Sequence, residues 1–181
     1  MKKVNEIFYS LQGEGYHTGC PAVFVRFSGC NLKCSFCDTC HEEGTFMSDQ
    51  EIVEAVKAYP AKMVVLTGGE PGLWVDEALV TLLHRAGKYV CIETNGTRPL
   101  PMEIDWVTCS PKEGAPVILE RIDEVKVVYV GQRLDHYAHL RAPYHFLQPC
   151  SCANTKEVLD YILAHPTWRL SLQTHKLAGF A

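Results

Sequence analysis

Short apolar runs of strand length recur along this 181-residue chain, and amphipathic segments separate several of them. The predicted strands lie at residues 22–28, 63–67, 89–94, 105–110, 123–130, 144–148 and 168–173. Strands that alternate with helices favour a parallel sheet, and parallel strands bring their carboxyl ends to the same edge. The pattern therefore predicts an α/β fold, either open or partly closed as a barrel.

Three segments between the strands are predicted to be helices. The first has a capping-box signature, Ser48 with Glu51 three residues later, and must end before Pro60. The second is expected from about residue 75 to 85, and the third should follow Asn154, a good N-cap residue. The remaining connections are left as loops.

Polar, glycine-rich or cysteine-rich loops follow the predicted strands. They read GCNLKCSFCDTC (residues 29–40), TGGEP (67–71), ETNG (93–96), SPK (110–112), QPCSC (148–152) and QTHK (173–176). In a parallel sheet all six would gather at one edge. The sequence thus predicts a single site built from six loops.

Composition excludes several classes of function. The formal net charge is −4 with a pI near 6.0, so nucleic acid is not expected as a partner. No apolar run approaches the roughly 18 residues of a membrane-spanning helix, and the N-terminus does not resemble a signal peptide. We expect a single domain over residues 1–181, located in the cytoplasm.

The nine cysteines indicate metal or redox chemistry, because an odd count in a reducing compartment argues against a disulfide framework. Three interpretations compete for the loop at residues 29–40. Cys34 and Cys37 could join Cys150 and Cys152 at a zinc ion, although C-x-C is a poor zinc knuckle. Cys34, Cys37 and Cys40 could begin an electron-carrier site, which lacks its fourth cysteine. The third interpretation uses Cys30, Cys34 and Cys37.

Three thiolates on a four-iron cluster leave one iron without a protein ligand, and an open coordination position is typical of a reactive metal site. The spacing C-x3-C-x2-C, with Phe36 before the last cysteine, resembles the radical S-adenosylmethionine (SAM) superfamily. TGGEP resembles the GGE motif of that superfamily, in which glycines allow close backbone approach and Glu70 could accept the ligand's ammonium.

Three further motifs, LQGEG (residues 11–15), CDT (37–39) and SLQTHK (171–176), resemble the 7-carboxy-7-deazaguanine synthase family. The resemblance implies conversion of 6-carboxy-5,6,7,8-tetrahydropterin to 7-carboxy-7-deazaguanine, with ring contraction and loss of ammonia, in queuosine and deazapurine biosynthesis. The implied radical is generated from SAM by a reduced [4Fe-4S] cluster and abstracts hydrogen from the substrate. The implied fold is a partial (β/α) barrel of the radical SAM type with mostly parallel strands. We expect it to be abbreviated and to have few helices, because residues 130–144 are too few for a full helix.

The resemblance also implies roles for individual residues. The implied cluster ligands are Cys30, Cys34 and Cys37, and Thr39 is the implied Mg²⁺ ligand. The implied SAM-binding residues are Phe36, Gly68, Gly69, Glu70, Ser110, Lys112 and Gln148. The implied substrate-binding residues are Leu11, Gln12, Gly13, Glu14, Arg26, Thr67, Gln173, His175 and Ala181.

Some of these positions have simpler interpretations. Arg26 alternates with Val25 and Phe27 and could lie on an exposed strand face, and His175 could be a surface histidine. No role is assigned to the remaining cysteines of interest, which are Cys20, Cys40, Cys150 and Cys152.

The expected partners are the pterin substrate, a flavodoxin- or ferredoxin-type electron donor and a second copy of the chain. Two alternatives to the synthase remain at this point. One is a glycyl-radical activating enzyme of the same superfamily, and the other is a non-catalytic iron–sulfur electron carrier.

Overall fold

The computed structural model describes residues 1–37, 39 and 41–180, and the strands found there form one sheet in the order β3-β1-β2-β4-β5-β6-β7-β8-β9. The strands are β1 (Lys2–Leu11), β2 (Pro21–Phe27), β3 (Thr45–Met47), β4 (Met63–Gly68), β5 (Tyr89–Thr94), β6 (Trp106–Cys109), β7 (Glu124–Tyr129), β8 (Tyr144–Pro149) and β9 (Arg169–Leu170). β1 is antiparallel to β2 and β3, and every pairing from β2 through β9 is parallel. The predicted mostly parallel α/β architecture is confirmed.

Helices are few and short. They are α1 (Asp49–Lys57), α2 (Glu77–Arg85), α3 (Asp135–Ala138), α4 (Thr155–Ala164) and α5 (Thr174–Ala178), with 3-10 turns at Pro71–Leu73 and Cys150–Cys152. The connections from β5 to β6 and from β6 to β7 are irregular, and the connection from β7 to β8 holds only the four-residue α3. The expected abbreviation of the barrel is therefore found in these three connections.

Helices α1 and α2 cover one face of the sheet. The capping box of α1 is present, and Ile52 and Val56 of this helix are fully buried. Helix α2 begins at Glu77 because the Asp76 side chain accepts a hydrogen bond from the Leu79 amide at 3.0 Å. Burying an aliphatic side chain of this size contributes roughly 1.5–3 kcal/mol, so these helices stabilise the sheet from one side.

The opposite face, which we call the inner face, carries polar side chains. Successive residues of a strand alternate between faces, so Val25 packs in the core under α1 and α2 while Phe24 and Arg26 point to the inner face. Arg26 therefore lies in the interior of the partial barrel, and its simpler interpretation as an exposed-face arginine does not hold.

Several predictions of local structure were incomplete. Strands β1 and β3 and helix α5 were missed. Asn154 precedes α4 but does not cap it; its side chain accepts a hydrogen bond from the Cys150 amide and donates one to the Tyr129 carbonyl, each at 2.9 Å. Asn154 thus ties the turn after β8 to the end of β7.

The connection between β1 and β2 crosses the inner face. Its residues 12–16, which we call the strap, bind strands far away in the sequence: the Gly15 amide donates to the Ser171 hydroxyl at 3.0 Å, and the Tyr16 amide donates to Glu124 at 3.0 Å. The Gly13 carbonyl accepts from the Thr174 amide at 3.0 Å. The strap therefore joins β7 and the segment after β9 to the opposite side of the sheet.

Two glycines let the strap lie this close. A Cβ atom on Gly13 would fall 2.4 Å from His175 Nδ1, and one on Gly15 would fall 2.1 Å from Glu124 Oε1. Gly15 also has a φ of +66°, in the left-handed region that glycine adopts without strain. The two glycines of LQGEG are therefore required by packing against α5 and β7.

Gly15→Ala should destabilise the protein more than Gly19→Ala, as measured by thermal unfolding of the anaerobic protein. Both positions have positive φ, which costs alanine about 1–2 kcal/mol, but nothing lies within 4 Å of a Cβ on Gly19. Displacing the buried Glu124 carboxylate should cost Gly15→Ala roughly a further 1–3 kcal/mol. Equal shifts for the two variants would contradict the close contact between the strap and Glu124.

Candidate functional site

A cavity of about 920 Å³ opens at the edge where the parallel strands end. Every predicted site residue lines it except Glu70, which is fully buried, and Ala181, which lies outside the described residues. Residues from all six predicted loops thus line one cavity. Leu11, Thr67, Phe36 and Gln173 contribute to the wall from four different elements.

The cysteine loop forms one wall of this cavity. Cys30, Cys34, Cys37 and Thr39 all line it, and these three cysteines are free thiols. Burial raises the pKa of the Cys30 thiol, while the Leu32 amide donates a hydrogen bond to its sulfur at 3.4 Å. Cys40 lies outside the described residues.

This donor set fits an iron–sulfur cluster. Thiolates are the usual cluster ligands, and in a cubane each binds a different iron, so the three sulfurs need not converge on one ion. Among the residues that the structure describes, no three Cys, His, Asp or Glu side chains are grouped to hold a single metal ion. Cys150 lines the same cavity, whereas Cys152 does not.

The two glycines of GGE support the start of the cysteine loop. A Cβ atom on Gly69 would lie 2.1 Å from the Gly29 carbonyl oxygen, and one on Gly68 would lie 2.1 Å from that of Phe27. The Glu70 amide donates to the Gly29 carbonyl at 2.9 Å. Only glycine allows this backbone contact, which fixes the loop against β4 just before Cys30.

Glu70 has a different position from the one expected. Its carboxylate is fully buried and accepts hydrogen bonds from the Thr94 hydroxyl at 2.6 Å, the Asn95 amide at 2.7 Å and the Gly72 amide at 2.8 Å. Three internal donors therefore occupy the carboxylate that we expected to accept a ligand ammonium. The geometry makes Glu70 a link between the loops after β4 and β5.

Asn95 continues this link to the cysteine loop. Its side-chain amide donates to Asn31 Oδ1 at 3.1 Å, and Asn31 in turn donates to the Thr97 hydroxyl at 2.8 Å. Thr94 and Asn95 both bind Glu70, and Asn95 connects it to the cysteine wall through Asn31.

A lysine and two amide or hydroxyl groups line the neighbouring wall. Lys112 Nζ donates to both the carbonyl and the hydroxyl of Ser110 at 2.7 Å, and burial lowers the pKa of this lysine. Gln148 is buried, and its Oε1 accepts a hydrogen bond from the Ser171 hydroxyl at 2.7 Å. These groups can bind a carboxylate and hydroxyls of a ligand beside the cysteines.

The centre of the inner face holds a buried lysine between two carboxylates. Lys126 Nζ lies 2.6 Å from Glu14 Oε2 and 2.9 Å from Glu93 Oε2, and the lysine side chain is 3% exposed. Gln12 donates to Glu93 at 2.8 Å, and Gln173 donates to Glu14 at 2.9 Å. The strap is thus bonded to β5, β7 and the segment after β9 through one polar network.

Charge in this network is fixed by its geometry. Burial alone would raise the pKa of Glu14, but the charge and hydrogen bond of Lys126 lower it to about 2. Burial would likewise lower the pKa of Lys126, but Glu14 and Glu93 raise it. Glu14 is therefore an anion and Lys126 a cation at any physiological pH.

Arg26 and His175 both line the cavity. Arg26 Nε donates to Glu6 at 2.7 Å, and its guanidinium lies 5.6 Å from the centre of the Phe8 ring. Within the described residues its terminal nitrogens make no hydrogen bond, so they are available to an anionic ligand. The His175 side chain packs closely against the strap, and this contact is possible because Gly13 has no side chain.

Comparison with known proteins identifies the family. The model of the Radical SAM superfamily matches residues 24–162. The chain is 69% identical to a 7-carboxy-7-deazaguanine synthase of Bacteroides thetaiotaomicron over 177 residues, covering 98% of this chain and 97% of the relative. A relative of the same name from Bordetella pertussis is 44% identical, with 97% of each chain covered.

The chain belongs to the 7-carboxy-7-deazaguanine synthase family of the radical SAM superfamily. Its fold also matches the crystal structure of QueE from Escherichia coli with a TM-score of 0.80 and 31% identity, covering 94% of this chain and 93% of that one. Radical SAM membership brings a [4Fe-4S] cluster and SAM as cofactors. The described helices include none with the length and apolar character to cross a membrane.

Two residues of the polar network that lines the cavity were missed from sequence. Lys126 is the single charged residue within VKVVYV, the last six residues of the predicted strand 123–130, and a buried charge requires a partner. Glu93 begins the ETNG loop but was not singled out. The available signal was the lysine inside an otherwise apolar strand. It indicated a buried cation and therefore also an acidic partner such as Glu93.

Lys126→Met should lower the free energy of unfolding by about 3–5 kcal/mol, because it leaves two carboxylates buried without their cation. The double variant Lys126→Met/Glu14→Gln should recover part of this loss, since it removes one of the unpaired charges. Thermal unfolding of the three proteins, with Glu14→Gln alone to complete the cycle, measures the coupling.

The wild type and Lys126→Met should differ in how their free energies of unfolding change with pH. In the wild type the pKa of Glu14 is about 2, so its contribution persists until the pH falls below the unfolded value near 4.5. In Lys126→Met the burial of Glu14 is no longer offset by the lysine, so the pKa of Glu14 should rise and this variant should become more stable as the pH falls from 7 to 5. A parallel pH dependence in both proteins would contradict the buried ion network.

Proposed function

We propose that the chain converts 6-carboxy-5,6,7,8-tetrahydropterin to 7-carboxy-7-deazaguanine, with ring contraction and loss of ammonia, using a [4Fe-4S] cluster, SAM and Mg²⁺. The observation that carries this proposal is the shared cavity, which joins three cysteine thiols to a polar pocket made by the strap. Membership of the synthase family supports the same reaction.

In this proposal Cys30, Cys34 and Cys37 hold the cluster, with one iron left for SAM. The cluster and SAM, when bound, supply a carbon-centred radical that takes a hydrogen atom from the substrate. The chain positions SAM through the backbone at Gly68 and Gly69 and through the remaining proposed contacts, which are Phe36, Ser110, Lys112 and Gln148. The half-buried Lys112, whose Nζ lies beside Ser110 in the same wall, provides a cation for the carboxylate of SAM.

The substrate occupies the part of the cavity beside the strap. Glu14 is ionised, and after binding Lys126, Gln173 and Gln148 its carboxylate retains a lone pair that can accept a hydrogen bond from the guanidine-like edge of the pterin. Arg26 binds the substrate carboxylate through its unoccupied terminal nitrogens. The other proposed substrate contacts are Leu11, Gln12, Gly13, Thr67, Gln173, His175 and Ala181.

Binding in this cavity also protects the reaction. The strap closes the bottom of the pocket, and Phe8 and Phe24 form an apolar part of its wall. Water and stray hydrogen donors are thereby kept from the reacting carbon. Fixed carboxylate and guanidinium contacts hold that carbon in one orientation.

We further propose that the enzyme works in the cytoplasm as a homodimer and receives electrons from a flavodoxin- or ferredoxin-type donor. It requires no nucleic acid or membrane partner. The reaction needs a one-electron reductant, and the chain contributes the cysteine loop at the open edge of the sheet, where an external donor can approach.

Cys34→Ala should lose the cluster and abolish both SAM cleavage and formation of the deazaguanine product. Anaerobically reconstituted wild type should hold about four irons per chain. The matched control is Cys152→Ala, whose side chain lies outside the cavity and which should retain iron and activity. Iron analysis and product chromatography measure both.

Other outcomes identify the competing functions. Loss of metal in both variants, with zinc in the wild type, would support the four-cysteine zinc site. SAM cleavage without any product from the carboxypterin would favour a glycyl-radical activating enzyme. Loss of the cluster in Cys40→Ala would favour an electron carrier if, in addition, SAM does not change the spectrum of the cluster in the wild type.

Thr39→Ala should weaken the stimulation of activity by Mg²⁺, with the required Mg²⁺ concentration raised about tenfold. A hydroxyl is a suitable ligand for this hard ion, whose other ligands would be water and the substrate carboxylate. Thr39→Ser keeps the hydroxyl and should restore the wild-type Mg²⁺ dependence. An unchanged Mg²⁺ dependence in Thr39→Ala would remove Thr39 from the metal site.

A further inference from the structure

A β-bulge interrupts the pairing of β1 with β2 beside the large cavity. Val4 pairs with Phe27, but the next paired residue of β1 is Glu6, which lies opposite Arg26. Asn5 is therefore the extra residue of the bulge. In regular pairing Asn5, and not Glu6, would stand opposite the arginine, so the inserted residue determines the partner of Arg26.

The bulge also decides which side chains of β1 reach the cavity. Val4 and Ile7 pack against the core on the other face of the sheet, whereas Asn5, Glu6 and Phe8 line the cavity. Strict alternation would send Glu6 to the same face as Val4. One inserted residue thus brings a carboxylate to the inner face.

Side-chain contacts hold the bulge in place. The Asn5 side-chain amide donates a hydrogen bond at 3.1 Å to the carbonyl of Glu43, which precedes β3. The Ser28 hydroxyl donates to the same carbonyl. Bulges are over-represented beside active sites, where they re-aim a side chain, and the side chain re-aimed by this one is Glu6.

Two contacts fix the guanidinium of Arg26 inside the cavity. Its Nε donates to Glu6 Oε1 at 2.7 Å, and its central carbon lies 5.6 Å from the centre of the Phe8 ring, within the range of a cation–π contact. The Phe8 ring is in turn stacked on Phe24, with the ring centres 4.9 Å apart. The guanidinium is held along one edge and at one face, so its plane is set before a ligand binds.

The bond to Glu6 leaves one way for Arg26 to bind a carboxylate through two hydrogen bonds. A guanidinium can use either Nε with one terminal nitrogen or both terminal nitrogens. Because Glu6 occupies Nε, the pair of terminal nitrogens remains. The side chains of Arg26 and Glu6 are 24% and 50% exposed, and ion pairs of such exposure contribute little to stability. The main consequence of this pair is therefore the orientation of the guanidinium.

We propose that Glu6 is a positioning residue that acts through Arg26: it directs both terminal nitrogens of the guanidinium at the substrate carboxylate and so strengthens the selection of carboxylated pterins. This inference rests on the proposed function, in which Arg26 binds that carboxylate. A site built to hydrogen-bond one ligand group rejects the analogue that lacks it, because the polar groups of the site are then left unpaired. Orientation by Glu6 increases this discrimination since the guanidinium need not be ordered when the ligand binds.

The test is a binding titration of the anaerobic, cluster-loaded enzyme with SAM but without a reductant, so that no turnover occurs. Glu6→Ala should raise the Kd of 6-carboxy-5,6,7,8-tetrahydropterin about tenfold, because the guanidinium loses its restraint. Glu6→Gln keeps an acceptor for Arg26 Nε and should restore the Kd to within about threefold of the wild type. 5,6,7,8-Tetrahydropterin, which lacks the carboxylate, should bind equally to all three proteins.

Glu54→Ala is the matched control. Glu54 also forms an exposed ion pair, with Lys57 at 2.9 Å, but it lies on α1 outside the cavity. This variant should leave the affinities for both pterins unchanged.

A double variant tests whether Glu6 acts through Arg26. Lysine keeps the charge of arginine but has no fork of nitrogens to orient, so Arg26→Lys/Glu6→Ala should bind the carboxypterin no more weakly than Arg26→Lys alone. Crystal structures give a readout without any pterin. The guanidinium should have the same orientation in wild type and Glu6→Gln, and a different orientation or several orientations in Glu6→Ala.

Several outcomes would overturn the positioning role. These are an unmoved guanidinium or an unchanged Kd in Glu6→Ala, equal weakening of both ligands, a loss in Glu6→Gln as large as that in Glu6→Ala, or a wild type that binds the two pterins alike. The proposed function fails separately. If the expected binding pattern is found but the reduced enzyme forms no deazaguanine, the proposed reaction is wrong, while Glu6 and Arg26 still form a carboxylate site. If product forms but Glu6→Ala discriminates like the wild type, the positioning role alone is wrong.

Discussion

The buried ammonium of Lys126, bonded to Glu14 and Glu93, is the interaction on which the inner face depends. A charge at this depth is stable only with close partners, and one of its partners comes from the strap. The strap is therefore held across the inner face of the sheet. There Gln12, Gly13 and Glu14 form one wall of the pocket. The same bond keeps Glu14 ionised where the proposed substrate binds.

A second constraint places the cysteines at the mouth of this pocket. Gly68 and Gly69 allow the backbone after β2 to pass against β4, and Glu70 joins that junction to the loop after β5. The GGE motif is thus a structural support for the cysteine wall, in addition to its proposed role in binding SAM. The cysteine wall and the polar pocket are held by separate contacts, yet they face one cavity.

The sequence was most informative where the physical signal was local. Buried parallel strands are continuous apolar runs, so seven strands and the polar loops after them could be predicted. Strand β1 was missed because its residues alternate irregularly between buried and exposed positions, with a register shift between Val4 and Glu6. Lys126 and Glu93 were missed because their partnership joins β7, β5 and the strap, which no local pattern contains. Glu70 was assigned to the ligand because its internal hydrogen-bond donors could not be recognised from sequence. Two of them, Thr94 and Asn95, lie about 25 residues away at the end of β5.

The central claim is that three cysteines leave one iron of the cluster open to SAM. Electron–nuclear double resonance of the reduced, anaerobic protein, with SAM labelled with ¹⁵N in its amino group and ¹⁷O in its carboxylate, tests this most directly. The account predicts hyperfine coupling from both labels to the cluster. A fully reconstituted cluster with no coupling to either label would contradict it.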